Sequence, residues 1–157
     1  MHAFDSEIDR LDRKVLAILQ TDGRITNLEL ADKIGLSATA TAERVKRLTR
    51  DGFISGYRAI LSAEKLGLGL VVFIEVKLER TTDDVFDAFT EAALRAPEIA
   101  ECYLVAGGFD YLIKARVPDM DAYRQFLSDV MLRLPGVRET HTYAVMEKVK
   151  SGDLVPV

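Results

Sequence analysis

The chain has 157 residues, 48% hydrophobic and 29% charged. These proportions suit a globular protein of one domain or two small ones, not a disordered or collagenous chain. A single cysteine excludes an internal disulfide, and the first residues, MHAFDSEIDR, carry no apolar signal core, so a cytoplasmic protein is expected. The longest apolar run, residues 66–76, is too short to span a bilayer and is broken by Glu75, which excludes a membrane protein on this reading.

The net charge of −4 speaks against a general nucleic-acid binder, but its distribution does not. Residues 1–60 hold ten Lys/Arg and nine Asp/Glu, whereas the remainder holds 11 and 16. Within residues 37–50 four basic side chains face one acid, Glu43.

Asp9 is placed to cap a first helix over residues 10–20, with Leu11, Val15, Ile18 and Leu19 on one side, Ile8 just ahead and Gly23 as its stop. Thr26 or Asn27 caps a second helix whose inward face is Leu28, Leu30, Ala31 and Ile34. Gly35 supplies the left-handed residue that ends it, and Leu36 anchors the turn. Ser37 caps a third helix running to about Asp51, with Val45 and Leu48 inward and Gly52 beyond its end.

Three helices with a short turn between the last two are expected to form a helix-turn-helix. A generic three-helix bundle would have the same geometry. Ser37, Thr39, Thr41, Arg44, Lys46, Arg47 and Arg50 favour the DNA-binding form. Short hydroxyl residues at the start of a recognition helix permit close approach to base edges. Arg44 is the candidate for a guanine edge or a phosphate, and Arg47 and Arg50 for phosphates. Residues 53–61, FISGYRAIL, read as a small wing or a strand leading out of the domain, with Arg58 able to meet a phosphate.

Residues 62–69, SAEKLGLG, mark the boundary between a domain at 1–61 and one at 62–157. Beyond it Leu70, Val72, Ile74, Val76 and Leu78 alternate on one face of a strand, with Val71, Phe73, Glu75, Lys77 and Glu79 on the other. A helix from Asp83 or Asp84 carries Val85, Phe86, Phe89 and Ala93 inward. Residues 99–106 and 111–117 are strands joined through Gly107-Gly108-Phe109-Asp110. Asp119 begins a further helix with Tyr123, Phe126, Leu127, Val130, Met131 and Leu134 on a wide apolar stripe, ended by Pro135-Gly136. Residues 137–147 are the last strand. The order βαββαβ is that of a ferredoxin-like domain, so the whole is α+β. Two helices cover one face of such a sheet. The other, with Val71, Phe73 and Leu112, calls for a second copy in a two-fold dimer. Such a dimer would set two recognition helices about one DNA turn apart, or a multiple of it.

With these parts in place the chain resembles the Lrp/AsnC (feast/famine) regulators, nearest the leucine-responsive branch, from about Ile8 to Val149. The stretches LDRKVLAILQTDGRITNLELADKIGLS, ERVKRLTRDGFISGYRAIL, LVAGGFDYLIKARVPDM and LPGVRETHTYAVMEKVK carry the resemblance. It implies promoter DNA as one partner and an amino acid, leucine or another, as effector of the C-terminal domain. It also implies dimers assembling further, commonly to octamers, and action as activator or repressor in the bacterial nucleoid. Carried over residue by residue, it makes Leu104, Gly107, Asp110, Met120, Tyr143 and Val145 effector-response positions, with Thr140 and Thr142 secondary. Chemistry agrees: Asp110 can meet an ammonium, and N–H groups of the glycine turn a carboxylate. The sequence departs from the family at Ala38 and Ala40, where proline is frequent near the recognition-helix start.

Catalysis has little support. His2 lies near the N-terminus, His141 has no partner at metal-ligand spacing, and no phosphate-binding glycine motif is present, so neither a metal nor a cofactor is expected. Cys102 reads as a small buried hydrophobe in a strand. Two rival classes are a dimeric ferredoxin-like enzyme, which leaves residues 9–52 unexplained, and an amino-acid-binding module whose helical third meets a protein partner.

Overall fold

The computed structural model describes residues 8–150, 152 and 154–157; His2 lies outside them. The chain divides into two compact units, one ending at Ile60 and taking in the C-terminal residues from Lys150, the other spanning Leu61–Val149.

The first unit holds α1 (Arg10–Leu19), α2 (Asn27–Ile34) and α3 (Ala38–Arg50). Each start is fixed locally. The Asp9 side chain accepts from the Asp12 N–H and the Asp12 side chain from the Asp9 N–H, a reciprocal capping box. Thr26 and Glu29 repeat the device on α2, and Ser37 caps α3 by accepting from the Ala40 N–H. Gly35, at φ 75°, ψ 37°, ends α2 in the left-handed region, where a Cβ is costly. Val15, Leu30, Ile34 and Leu48 form the buried core, with Ile8, Ile18, Leu36 and Val45 packed around it. Leu28, expected inside, is 65% exposed, because Leu30, Ala31 and Ile34 take the inner stripe of α2.

Residues 53–61 form no strand. Phe53 and Ile54 instead pack on the three-helix core, and the Ile54 N–H donates to the Leu48 carbonyl at 3.1 Å. Gly23 stands beyond the end of α1 rather than at its cap, which is Gln20; a Cβ on Gly23 would lie 3.1 Å from the Tyr57 ring. The C-terminal residues contribute Val155, whose N–H and carbonyl are both bonded by the Gln20 amide at 3.0 Å.

The second unit is β1 (Leu70–Leu78), α4 (Asp83–Arg95), β2 (Ile99–Leu104), β3 (Tyr111–Val117), α5 (Met120–Asp129) and β4 (Val137–Ala144), with a 3-10 turn at Met131–Arg133. The four strands order as β2-β3-β1-β4, all neighbours antiparallel, which is the ferredoxin-like topology. The helix side of the sheet buries Val72, Ile74, Val76, Tyr111, Ile113 and Ala115 against Phe89 and Ala93 of α4 and Tyr123 and Phe126 of α5. The expected single helix through Leu134 ends at Asp129: its cap Val130 stays in the right-handed region with φ stretched to −115°, and the 3-10 turn that follows carries Met131 into the core. Gly136 (φ 74°) then leads into β4, its carbonyl accepting from the Glu79 N–H at 2.8 Å.

The opposite sheet face is mixed. Val71, expected to be open, is buried, and Phe73 and Leu112 are half-buried, while Tyr103 and Tyr143 stay about half exposed. Charged residues Glu75, Lys77, Lys114, Glu139 and His141 occupy the same face by register. Cys102, expected to be buried, is exposed, because β2 is an edge strand.

Candidate nucleic-acid interface and ligand region

In α3 each residue advances by about 100° around the axis. Thr41 and Leu48 are buried and Val45 is packed against the core, so Thr39, Glu43, Lys46 and Arg50 stand in an exposed row on the opposite side. Ser37 is exposed, with its hydroxyl occupied by the Ala40 N–H at 3.1 Å. Thr41 corrects the sequence reading: it is fully buried, without a hydrogen-bond partner for its hydroxyl among the described residues, and cannot meet a base edge. Glu43, not singled out from sequence, stands in the exposed row; a glutamate there can accept from a cytosine amine.

Arg44 and Arg47 flank the buried stripe on the side of α1. One Arg44 nitrogen, Nη1, donates to Asp9 Oδ2 at 2.7 Å and to Asp12 Oδ1 at 2.8 Å. Arg47 Nη2 donates to Asp12 Oδ2. Asp12 is itself fully buried, and the two arginine side chains are 26% and 38% exposed. Arg44, expected at a guanine edge or a phosphate, is thus held against α1. Burial alone would raise the Asp12 pKa, but hydrogen bonds from Arg47, the Asp9 N–H and Arg44 outweigh it and bring the pKa below its ordinary value. The Asp9 pKa is lowered first by the Asp12 N–H and next by Arg44. The Arg44 pKa is raised by the same two carboxylates. Arg50 pairs with Asp51 at 2.8 Å, both side chains exposed, and Lys46 makes no ion pair among the described residues. An open cleft of about 450 Å³ runs along this surface between Asp9, Glu43, Arg44, Lys46, Arg47 and Arg50.

Sequence reasoning misses Asp12 because its partners lie more than thirty residues away along the chain. The available signal is the D-x-x-D spacing of Asp9 and Asp12 at a helix start, which reads as a cap and says nothing of arginines.

The second unit does not gather the eight effector candidates into one site. Leu104 ends β2, and Thr140 and Thr142 lie on β4, at the opposite edge of the sheet. Gly107 and Asp110 belong to the loop at the sheet end where Asp110 meets β1: its N–H donates to the Val76 carbonyl at 2.9 Å and its Oδ2 accepts from the Leu78 N–H at 2.7 Å. Met120 opens α5 beyond the far end of β3, and Tyr143 and Val145 sit at that same end, Val145 donating to the Val71 carbonyl. Thr142 lies beneath α5, hydrogen-bonded to the Tyr123 hydroxyl, while Tyr143 points to the opposite face with Phe73 as its strand neighbour. Gly107 and Gly108 are not in the positive-φ region; open space lies where a Cβ would stand on each. Among the described residues no group of three or more His, Cys, Asp or Glu could hold a metal, and no helix is long and apolar enough to cross a membrane.

A tri-helical unit presenting a hydroxyl- and cation-bearing third helix, followed by a ferredoxin-like unit, defines a helix-turn-helix regulator with a separate ligand domain. Residues 8–55 match the winged helix-turn-helix DNA-binding family and residues 71–155 the Lrp/AsnC ligand binding domain. The chain belongs to the Lrp/AsnC family of transcriptional regulators. It is 53% identical over 147 residues to the leucine-responsive regulatory protein of Escherichia coli, covering 94% of this chain and 90% of the relative. A transcriptional regulator from Neisseria meningitidis, solved in complex with L-Met, superposes with a TM-score of 0.91 at 34% identity, over 95% of this chain and 96% of that one. Escherichia coli AsnC superposes with a TM-score of 0.86 at 26% identity, over 95% and 99%.

Proposed function

We propose that α3 reads duplex promoter DNA through Ser37, Thr39, Glu43, Lys46 and Arg50, and that the C-terminal unit tunes this reading by binding an amino acid. The observation that carries the DNA contacts is the exposed row on α3 opposite Thr41 and Leu48. Lys46 and Arg50 supply phosphate contacts; Thr39 and Glu43 are the side chains in range of base edges. A gel-shift or anisotropy series over salt tests this. Binding with a steep negative slope in log salt supports it, and no duplex bound at low salt refutes it in favour of a protein-binding module.

The effector is an amino acid with an apolar side chain. Support comes from the two relatives named for leucine and solved with L-Met. Exposed Leu104 and Met120 offer apolar contacts, and the unobstructed turn at Gly107 and Gly108 offers N–H groups. Because Leu104, Gly107 and Asp110 lie at the opposite end of the sheet from Met120, Tyr143 and Val145 in one protomer, a complete pocket draws them from more than one copy. A dimer through the Phe73, Leu112, Tyr103 and Tyr143 face, assembling further to an octamer, provides this. Binding that differs between two assemblies shifts one against the other and repositions the DNA helices. The regulator then works on the cytoplasmic nucleoid, as activator or repressor, with no enzymatic step. A thermal-shift screen of the twenty amino acids checks the effector: stabilisation by Leu or Met is expected, about 2.7 kcal/mol at a hundredfold excess over Kd. Phe73→Lys is expected to leave a monomer in sedimentation, and an unchanged assembly would refute that interface.

A further inference from the structure

Asp12 is a buried carboxylate with no role in the reading given above. A fully buried charge persists only when matched, and Asp12 is matched on every side: Arg44 on Oδ1, Arg47 and the Asp9 N–H on Oδ2. These two arginines belong to the helix that meets DNA, yet they are engaged with α1 instead. Three of the four basic side chains of α3 are paired with carboxylates, Arg44 with Asp9 and Asp12, Arg47 with Asp12 and Arg50 with Asp51. Sequence-independent DNA binding grows with the number of phosphates a protein neutralises. A basic helix whose arginines are engaged by carboxylates neutralises fewer phosphates and depends more on contacts that distinguish bases.

Resting on the assignment of α3 to DNA, we infer that Asp12 is a specificity-determining positioning residue. Its carboxylate, with Asp9, withdraws Arg44 and Arg47 from the phosphate backbone and fixes α3 against α1. This keeps sequence-independent binding low and leaves discrimination to the exposed row. Removing the Asp12 charge releases Arg47 and leaves Arg44 held by Asp9 alone, both within reach of the adjoining cleft.

The test uses the full chain and two duplexes, one of random sequence and one selected by the wild-type protein from a random pool, with affinities followed over a salt series. Asp12→Asn is expected to tighten the random duplex about three- to tenfold at low salt and to steepen the slope of log K against log salt by about 0.9 for each arginine that reaches a phosphate. The ratio of selected to random affinity falls, and Asp12→Glu restores it in part. Arg44→Gln is expected to leave the wild-type slope as it is, and to remove about 0.9 from it in the Asp12→Asn background. Thermal melts confirm that each variant is folded at the assay temperature. If Asp12→Asn does not fold, Arg44→Gln decides alone: a flatter slope than wild type means the arginine already rests on phosphate and overturns the inference. Equal losses on both duplexes with an unchanged slope for folded Asp12→Asn would show a purely structural carboxylate and overturn it as well. Wild-type protein that binds neither duplex at low salt instead defeats the assignment of α3, and the inference falls with it.

Discussion

Gly136 allows the packing of the second unit to be tested quantitatively. Its φ of 74° lies in the left-handed region, and a Cβ built there would stand 2.5 Å from Val85 Cγ1 of α4. Gly136→Ala therefore meets two costs. The left-handed conformation costs an L-residue about 1–2 kcal/mol. Moving Val85 back by about 1 Å, to an ordinary contact, overpacks the helix–sheet interface for roughly another 1–3 kcal/mol. Gly67, in the same unit, has the same φ of 74° with nothing within 4 Å of its Cβ position, so Gly67→Ala meets the first cost alone. Urea unfolding of the two variants should differ by about 1–3 kcal/mol, with Gly136→Ala the weaker. For a unit of this size each kcal/mol lowers Tm by about 4–8 °C. Val85→Ala, introduced into both backgrounds, should return the steric share and leave the conformational share, a coupling that a double-mutant cycle reads directly. Equal losses at Gly67 and Gly136, or no coupling with Val85, would refute the steric account.

Other outcomes follow from individual side chains. Thr41→Val removes a buried hydroxyl without a partner among the described residues and keeps the shape, so it should stabilise the first unit by about 1 kcal/mol and leave DNA affinity unchanged; a loss of stability in urea titration would mean the hydroxyl is satisfied. Asp9 and Asp12 have folded-state pKa values below their ordinary 3.8, so the unfolded chain takes up protons first as pH falls. Their stabilisation is complete above that value and is lost as pH drops through the lower folded values; Tm of the first unit should fall below about pH 4, and less steeply in Asp12→Asn. Asp110→Ala removes the acceptor of the Leu78 N–H and should cost about 1.5–3 kcal/mol in chemical unfolding. Asp110→Asn keeps an acceptor oxygen and should retain most of that stability. If calorimetry shows its amino-acid binding also unchanged, Asp110 does not meet the ammonium.

Features governed by neighbours along the chain are legible in the amino-acid order. The pattern puts Asp9, Thr26 or Asn27, Ser37 and Asp119 at helix starts, and the caps are Asp9, Thr26, Ser37 and Asp119. It also has Gly35 turning left-handed after α2, and Gly35 does. The alternation from Val72 to Leu78 marks the inner face of β1, since the side-chain period of a strand is two whatever surrounds it. Pattern fails locally where two assignments are equally good. Leu28 lies beside the apolar stripe of α2 and reads as part of it, residues 53–61 have strand composition without a strand to pair with, and the stripe of α5 continues across the break at Val130.

By itself, then, the chain determined its caps, its turns, its strand alternation and the βαββαβ order, because each rests on hydrogen bonds and side-chain periods spanning a few residues. Tertiary structure alone decided which cations of α3 are available. The packing of α1 on α3 brings Asp12 onto Arg44 and Arg47 across more than thirty residues of sequence, and Thr41 is buried in the same unit. Whether a guanidinium faces a phosphate or a buried carboxylate depends on which charge stands within a few ångströms, and no local pattern carries that distance.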